Sequence, residues 1–485
     1  MSEKLLFEHT SKKNDDFYLP PSDVPEEKPA ELIPAAWLRR DKPRIPDIAE
    51  PHVVRHFVNL STQNHHVDKA FYPLGSCTMK YNPKINENTS ALPGFSCLHP
   101  LQPLDTVQGA LQLVYDISSW LAEIAGFSAV TLQPAAGAHG ELTGLMLVRA
   151  FHESKGNPRK TVLIPDSAHG TNPASVIISG YESVTLKSND KGLLDLKELE
   201  EALNPEVAAL MLTNPNTLGI FETQVKEICK LCHNAGALVY MDGANMNALL
   251  GLVRPAELGI DVMHFNLHKT FSTPHGGGGP GSGPVGVVEK LVDFLPTPCV
   301  TKAASGYTLD CDRPQSIGKV STFYGNFAII VRAYTYIRML GAEGLKKASQ
   351  NAILNANYLL SRLADKFDQP YDMTPMHEFV LAGTRQKQQG VKTLDIAKRL
   401  LDFGVHAPTV YFPLIVPEAL MIEPTETENK ETLDAYADYL LQIAREAEED
   451  PEKVKQAPTK TPRKRLDEAQ AAKELNIRYN FKGAK

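Results

Sequence analysis

The sequence predicts an α/β protein in which a mainly parallel sheet is covered by helices, followed along the chain by a smaller α+β domain. From about residue 105, short apolar runs recur, and each is followed by turn residues and then by a helical pattern. Such runs are typical of parallel strands that are buried on both faces. From about residue 327, a long helical tract leads into two further strand-like runs and two helices, which predict the second domain.

Length and charge exclude several classes of protein. The 485 residues can fill two or three domains. A formal net charge of −7 argues against a nucleic-acid-binding surface. No stretch approaches the ~20 consecutive apolar residues of a membrane span, and the first residues lack the apolar core of a secretory signal. A cytoplasmic location without membrane attachment is therefore expected.

Composition predicts four regions along the chain. Residues 1–70 are rich in proline and charge and predict an extended arm that wraps on a neighbouring subunit. Residues 71–326 form the predicted large domain and residues 327–449 the small domain. Residues 450–485 alternate charge and proline, which predicts a charged tail.

The large-domain strands are predicted at 161–164, 207–212, 237–241 and 284–288, with amphipathic helices at 107–125 and 141–153. Ligands of such sheets bind outside the carboxyl ends of the strands. The residues just after the apolar runs are therefore candidates for function, and they are polar or ionisable: His169, Asn214, Asp242 and Lys269.

Lys269 lies between an apolar, strand-like approach at 260–265 and the glycine run 276–279. A lysine amine held in a pocket can act as a nucleophile toward an aldehyde, as pyridoxal phosphate (PLP) enzymes require. A lone lysine more often lies on the surface. Asp242, at the end of the preceding apolar run, could keep the nitrogen of a pyridine ring protonated and so make the ring an electron sink. The two together are a more specific signal than either alone.

Three further segments fit the same chemistry. Ala136, Gly137 and Ala138 open a helix with small side chains, where backbone N–H groups can bind a phosphate; a plain turn is the alternative. His169 could stack on a pyridine ring or belong to a helix cap. Asn214 could bond a ring hydroxyl or simply form a turn.

The glycine run does not fit other cofactors. Residues 276–283 lack the Gly-Lys-Ser/Thr ending of a nucleotide phosphate loop. They also precede a predicted strand, whereas a dinucleotide fingerprint opens a helix, so we expect a flexible return into that strand. The pair His65 and His66 has no carboxylate or cysteine spacing to complete a metal site, and no metal is predicted.

At these motifs the chain closely resembles the P-protein of the glycine cleavage system, a PLP-dependent family that decarboxylates glycine. The resemblance covers the C-terminal, PLP-carrying half of the single-chain form, which is a separate subunit in two-subunit bacterial forms. It rests on residues 71–82, 133–141, 166–175, 241–247, 266–270 and 423–428.

The resemblance implies the aspartate-aminotransferase-like PLP fold (fold type I). It implies that Lys269 is the Schiff-base lysine, Asp242 the pyridinium partner and His169 the stacking histidine. It also implies that Ala136, Gly137 and Ala138 belong to the phosphate loop, and we add Asn214 and His268 to the predicted cofactor site.

The resemblance further implies partners and a reaction. Glycine loses CO2, and its aminomethyl group passes to the lipoyl arm of H-protein. Subunit 1 is the implied partner, in a heterotetramer of two copies of each subunit. We hypothesise that Lys80 and His268 hold the glycine carboxylate or manage protons, because both lie in the matching motifs.

Three alternatives stay open at this point. The chain could be another enzyme of the same fold, such as an aminotransferase or a desulfurase, although no arginine is clearly placed for an α-carboxylate. It could be a non-catalytic partner subunit, although Lys269, Asp242 and His169 are intact. It could also be active alone, although its half length and long arm favour a neighbouring subunit.

Overall fold

A computed structural model describes residues 3–8, 22–41, 43, 45–46, 48–276 and 281–480. Within the chain, residues Val67–Ala457 form one unit, and residues Met1–His66 with Pro458–Lys485 form another. The predicted flexible return at 276–279 falls from residue 277 onward outside the described residues.

The α-helices are α1 (Pro29–Leu32), α2 (Glu50–Gln63), α3 (Lys84–Ser90), α4 (Pro93–Ser96), α5 (Gln108–Ala125), α6 (Gly137–Ser154), α7 (Thr171–Ile178), α8 (Leu196–Ala202), α9 (Val225–Asn234), α10 (Phe327–Leu363), α11 (Thr384–Gln388), α12 (Thr393–Asp402), α13 (Lys430–Glu449), α14 (Pro451–Lys455) and α15 (Glu468–Lys473). Short 3-10 helices span Leu6–Glu8, Leu104–Thr106, Pro255–Leu258 and Glu289–Phe294. The strands are β1 (Ala129–Thr131), β2 (Thr161–Pro165), β3 (Glu182–Leu186), β4 (Val207–Thr213), β5 (Leu238–Gly243), β6 (Val262–Phe265), β7 (Val285–Val287), β8 (Cys299–Ala303), β9 (Gly306–Asp310), β10 (Phe379–Ala382), β11 (Thr409–Val410) and β12 (Ala419–Ile422).

Strands β1 to β7 form one sheet in the order β1-β7-β6-β5-β4-β2-β3. The five strands β2 to β6 pair in parallel, whereas β7 pairs antiparallel with both β6 and β1. The predicted mainly parallel sheet is confirmed, with β7 as an antiparallel member that the sequence pattern did not reveal.

Side chains of the central strands alternate between two apolar cores, one on each face of the sheet. In β5, Val239 and Met241 pack in one core, while Leu238 and Tyr240 pack in the other. This period of two is what a strand covered on both faces requires. It explains why the strands appear in the sequence as continuous apolar runs.

A second, three-stranded antiparallel sheet has the order β10-β12-β11 and follows the long helical tract α10. α10 is interrupted at Gly341, which has a positive φ of 59°. The apolar core of this region joins the β-sheet to α10, α12 and α13. Strand β12 and the hairpin β8–β9 were not predicted.

The other unit contains α2 and α15, and the rings of Phe7 and Tyr479 stack within it with centroids 4.7 Å apart. The N-terminal segment and the end of the chain therefore contact each other. Across the residues that the structure describes, no helix combines the length and apolarity needed to cross a bilayer.

Candidate active site

A cavity of about 220 Å3 opens at the carboxyl ends of the central parallel strands. Thr213, Asp242 and His264 are register neighbours on β4, β5 and β6, so the residues at these strand ends share one edge of the sheet. The predicted site residues that line the cavity are Gly137, Ala138, His169, Asp242, His268 and Lys269. Ala136 and Asn214 are not among its lining residues.

Lys269 is buried just beyond the end of β6, with 8% of its surface exposed. Its position is fixed because Leu267 and Phe271 on either side are buried in the apolar core. The Lys269 Nζ donates a hydrogen bond to the carbonyl oxygen of Ser76 at 2.6 Å. The amine thus lies at the cavity wall with one backbone partner, where an aldehyde could reach it.

Asp242 is buried at the end of β5, and donors surround its carboxylate. Asn172 Nδ2 and the backbone N–H of Ala244 each donate to it at 3.0 Å, and His264 Nε2 lies 3.5 Å from Asp242 Oδ1. Burial by itself raises the pKa of Asp242, but His264, Asn172 and Lys269 outweigh it and hold that pKa below the usual value. The carboxylate is therefore ionised at neutral pH.

His264 is oriented by a second group, because the Tyr240 hydroxyl and His264 Nδ1 are hydrogen-bonded at 2.8 Å. Both residues are fully buried. Tyr240, His264 and Asp242 therefore form a chain of contacts that leads from the core of the sheet to the cavity.

His169 lines the cavity beside α7. Its Nδ1 is hydrogen-bonded to Thr171 Oγ1 at 2.8 Å, and Thr171 Oγ1 in turn donates to the buried carboxylate of Glu141 at 2.7 Å. Burial lowers the pKa of His169, so its ring is neutral at pH 7. A neutral, held imidazole is suited to contact an aromatic ring face.

The loop before α6 presents free backbone donors. Ala136, at the N-cap, has extended backbone and no side-chain cap, so the first N–H groups of this 18-residue helix are available to a ligand. Gly137 is required for space, because a Cβ there would lie 2.7 Å from Asn266 Oδ1. Ala136 flanks the cavity through the N-cap position, while Gly137 and Ala138 line it.

Asn214 and Lys80 make contacts other than those expected. Asn214 Oδ1 accepts a hydrogen bond from the backbone N–H of Glu222 at 2.9 Å, which favours the turn interpretation. Lys80 Nζ donates to Glu426 Oε1 at 2.6 Å and to the carbonyl of Thr270 at 2.7 Å. Lys80 therefore supports the turn that carries Lys269 and is not part of the cavity wall.

His268 lines the cavity, and its Nδ1 accepts from the backbone N–H of Ser282 at 3.2 Å. Burial lowers the pKa of His268 to about 3, and the neighbouring His275 adds to this effect. The ring is therefore neutral and suited to a proton-accepting or hydrogen-bonding role.

The sequence reasoning missed one wall of the cavity, which is formed by Ser76, His377 and Glu378. Behind it lies Glu423, which is fully buried. Ser76 and Glu423 lay in motifs that carry the resemblance, 71–82 and 423–428, but neither was predicted as a site residue. His377 and Glu378 are the polar start of the predicted strand-like run 377–381, which was the available signal for them; the strand itself begins at Phe379.

The cavity fits pyridoxal phosphate. It combines a buried amine, an ionised carboxylate and an uncapped helix N-terminus. Two polar atoms of its lining residues, Thr213 Oγ1 and Asn266 Oδ1, have no hydrogen-bond partner among the described residues, as expected where a polar ligand belongs.

This fold and this set of groups define a PLP-dependent enzyme of fold type I. Residues 145–278 match the family model "Aminotransferase class-V". The crystal structure of glycine decarboxylase (P-protein) of the glycine cleavage system, in inhibitor-bound form, aligns with a TM-score of 0.69 and 22% identity, over 90% of this chain and 94% of that chain. At this level of identity the match establishes the fold.

Two further findings establish the family. Residues 348–468 match the model "Glycine dehydrogenase, C-terminal domain". Proteins named "Probable glycine dehydrogenase (decarboxylating) subunit 2" are 64% identical in Chloroherpeton thalassium, over 99% of both chains, and 57% identical in Bacillus velezensis, over 98% of this chain and 97% of that protein. The chain belongs to the glycine dehydrogenase (decarboxylating) subunit 2 family, and the resemblance found in the sequence is confirmed.

Proposed function

We propose that this chain is the PLP-carrying subunit of a two-subunit glycine dehydrogenase, which decarboxylates glycine and passes the aminomethyl group to the lipoyl arm of H-protein. The observation that carries this proposal is the buried Lys269 amine beside the ionised Asp242 in one cavity. Membership of the subunit 2 family supplies the substrate.

Each residue has a distinct task in this reaction. PLP, when bound, supplies an aldehyde that takes up amines and a pyridinium ring that accepts an electron pair. Lys269 would hold the aldehyde of the cofactor, and the carbonyl of Ser76 is the hydrogen-bond acceptor for the lysine amine when that amine is free. Asp242 would keep the ring nitrogen protonated, because its own proton affinity is low.

The remaining residues would hold the cofactor in position. The N–H groups of Gly137 and Ala138 would bind the phosphate at the start of α6. His169 would cover one face of the ring, held by its bond to Thr171. His268, whose ring is neutral, would hydrogen-bond without adding charge. Ala136 and Asn214 would shape the site from outside the cavity lining.

Subunit 1 and glycine are the partners that the family name implies, and we propose H-protein and a heterotetramer of two copies of each subunit beyond them. We also propose a large domain at 71–326, a small domain at 327–449 and a charged tail at 450–485. The arm at 1–70 would contact the neighbouring subunit, and the complex would work in the cytoplasm.

The test is to purify the chain with subunit 1 and PLP and to compare wild type with Lys269→Ala. Wild type should show the absorbance of PLP bound to lysine and should exchange CO2 into glycine when lipoylated H-protein is added. Lys269→Ala should lose both signals. Lys187→Ala removes an exposed lysine and should retain both. Cofactor absorbance without any glycine exchange in the wild-type complex would refute the proposal.

A further inference from the structure

Two carboxylic acids, Glu378 and Glu423, lie together where the cavity wall meets the antiparallel sheet. Strands β10 and β12 pair antiparallel with Phe379 opposite Ile422. Glu378 precedes the first of these residues and Glu423 follows the second, so the same register brings the two acids face to face. Oxygens of Glu378 and Glu423 and a ring nitrogen of His377 lie within 4.8 Å of one another.

A third segment completes this wall from the other side. Gly75 N–H donates to the carbonyl of Met421, and Glu423 N–H donates to that of Pro73, each at 3.3 Å. This close approach requires glycine, since a Cβ at position 75 would lie 2.4 Å from the Met421 side chain. The segment thereby positions Ser76, whose N–H donates to Glu378 Oε2 at 2.7 Å.

The two acids accept different numbers of hydrogen bonds. Glu423 accepts hydrogen bonds from four donor groups: the N–H and Oγ1 of Thr78, Asn245 Nδ2 and Asn247 Nδ2. These donors and Lys269 lower the pKa of Glu423, but burial outweighs them and raises that pKa to about 7. Glu378 accepts from Ser76 alone among the hydrogen bonds found for the described residues. Of the two acids, Glu378 is the one that lines the cavity.

Charge in this wall follows from that difference. Burial raises the pKa of Glu378 well above its usual value, and the facing Glu423 raises it further. Two carboxylates this close do not ionise together readily, so Glu378 keeps its proton at neutral pH. Burial also lowers the pKa of the adjacent His377 to about 3. The wall facing the cavity is therefore neutral.

His377 is a buried imidazole in the same wall, next to Glu378. Its ring is 1% exposed and lines the cavity. Neither ring nitrogen has a hydrogen-bond partner among the described residues, and the Glu378 oxygen lies beyond bonding distance at 3.7 Å. A buried imidazole without partners is costly, and a ligand in the cavity that accepts a hydrogen bond from the ring N–H would remove part of that cost.

We propose that Glu378, as the neutral acid, and His377, as the neutral imidazole, donate hydrogen bonds to the carboxylate of the substrate amino acid. This inference rests on the proposed function and assigns the carboxylate end of the site. Among the described residues that line the cavity, Lys269 is the only lysine and there is no arginine. No guanidinium of these residues therefore competes for this role.

Neutral donors suit a decarboxylase. Decarboxylation removes the negative charge of the carboxylate, so a buried ion pair to arginine would stabilise the ground state more than the transition state and would slow the reaction. Two neutral donors orient the carboxylate, and they lose less interaction energy than an ion pair would when CO2 departs.

The test compares glycine with methylamine, the same amine without a carboxylate. The PLP-loaded complex with subunit 1 is titrated with each amine in the absence of H-protein, and the cofactor absorbance gives a Kd. Glu378→Leu should raise the Kd for glycine by about 10- to 100-fold, the scale of a lost hydrogen bond to a charged group. Its Kd for methylamine should stay within about 2-fold, since that amine does not use the donor.

Conservative variants separate donation from folding. Glu378→Gln keeps an N–H donor and should bind glycine within about 3-fold of wild type, because a neutral hydrogen bond replaces another. His377→Leu should weaken glycine binding alone. Glu418→Gln changes a buried acid that instead holds the backbone N–H of Thr393 and should leave both Kd values unchanged.

Several results would contradict the proposal that Glu378 and His377 bind the substrate carboxylate. If the variants weaken the binding of glycine and of methylamine equally, Glu378 and His377 do not bind the substrate carboxylate. Tighter glycine binding in Glu378→Gln would mean that Glu378 is ionised. A divalent metal found by elemental analysis, and lost in Glu378→Gln, would assign the cluster to a cation. A wild-type complex that binds methylamine but not glycine would instead refute the proposed function itself.

Discussion

Asp242 and Glu378 lie on the same cavity and are equally buried, with exposed fractions of 5% and 4%, yet their pKa values move in opposite directions. Asp242 faces His264 and Lys269 and accepts two hydrogen bonds. Glu378 faces another carboxyl group and accepts one. Neighbours, rather than depth, therefore decide which of the two acids is charged.

This difference divides the cavity into two electrostatic halves. The sheet edge carries the fixed negative charge that a pyridinium nitrogen needs. The two residues before β10 that line the cavity, His377 and Glu378, are both neutral. One small site would thus pair a positively charged ring with the Asp242 carboxylate and bind a negatively charged substrate group with neutral donors.

The largest expected effect comes from removing the charge at the sheet edge. Asp242→Asn should lower glycine turnover by at least about 100-fold, the scale on which the loss of one preorganised electrostatic group acts. The measurement is CO2 exchange in the reconstituted complex. Asp195→Asn is the matched control, because Asp195 caps α8 and asparagine caps equally well. Activity near that of wild type in Asp242→Asn would show that the negative charge at the sheet edge is not needed for turnover.

The next effect is a pair of opposite pH trends in the free energy of unfolding, measured by denaturant titration. The folded-state pKa of Asp242 is lowered, so its stabilising contribution is present above the unfolded pKa and is lost as pH falls through the folded pKa. Asp242→Asn should therefore be destabilised most at neutral pH, and its deficit should shrink in acid.

Glu378 should show the reverse trend. Its folded-state pKa is raised above the usual 4.5, so wild type loses stability as pH rises above that value. Glu378→Gln should not share this loss, and it should gain on wild type by up to about 1.4 kcal/mol for each pH unit. Parallel trends for the two variants would show that the acids are not in opposite charge states.

The smallest expected effect tests the support behind Asp242. Tyr240→Phe leaves the buried His264 Nδ1 without its 2.8 Å partner, which should cost about 1–3 kcal/mol of stability. Turnover should fall much less than in Asp242→Asn, because the carboxylate keeps its bonds to Asn172 and Ala244. A loss of turnover as large as that of Asp242→Asn would make Tyr240 part of the catalytic charge system.

The sheet-edge half of the site was predictable because local sequence encodes it. Each parallel strand is a continuous apolar run, and the polar residue that follows must lie at one edge, as Asp242 and Lys269 do. Asn214 shows where this rule is too coarse. It also follows a strand, but its amide turns back to the Glu222 backbone, and side-chain direction cannot be read from position alone.

The neutral half could not be predicted from local sequence. Glu378 and Glu423 are 45 residues apart, and they meet because β12 pairs with β10. The short strand β12 was not recognised, so its register was unknown. Ser76 connects Glu378 to Lys269 through hydrogen bonds of its backbone, and the identity of its side chain gives no sign of them.

That last contact affects how the protein tolerates mutation. Ser76 accepts from Lys269 through its carbonyl and donates to Glu378 through its N–H, so both bonds survive replacement of the side chain by alanine. An alanine scan would therefore score this position as dispensable. Proline, which lacks the N–H and cannot adopt the φ of 66° found here, would reveal that one main-chain residue links the amine of the reaction to the acid across the cavity.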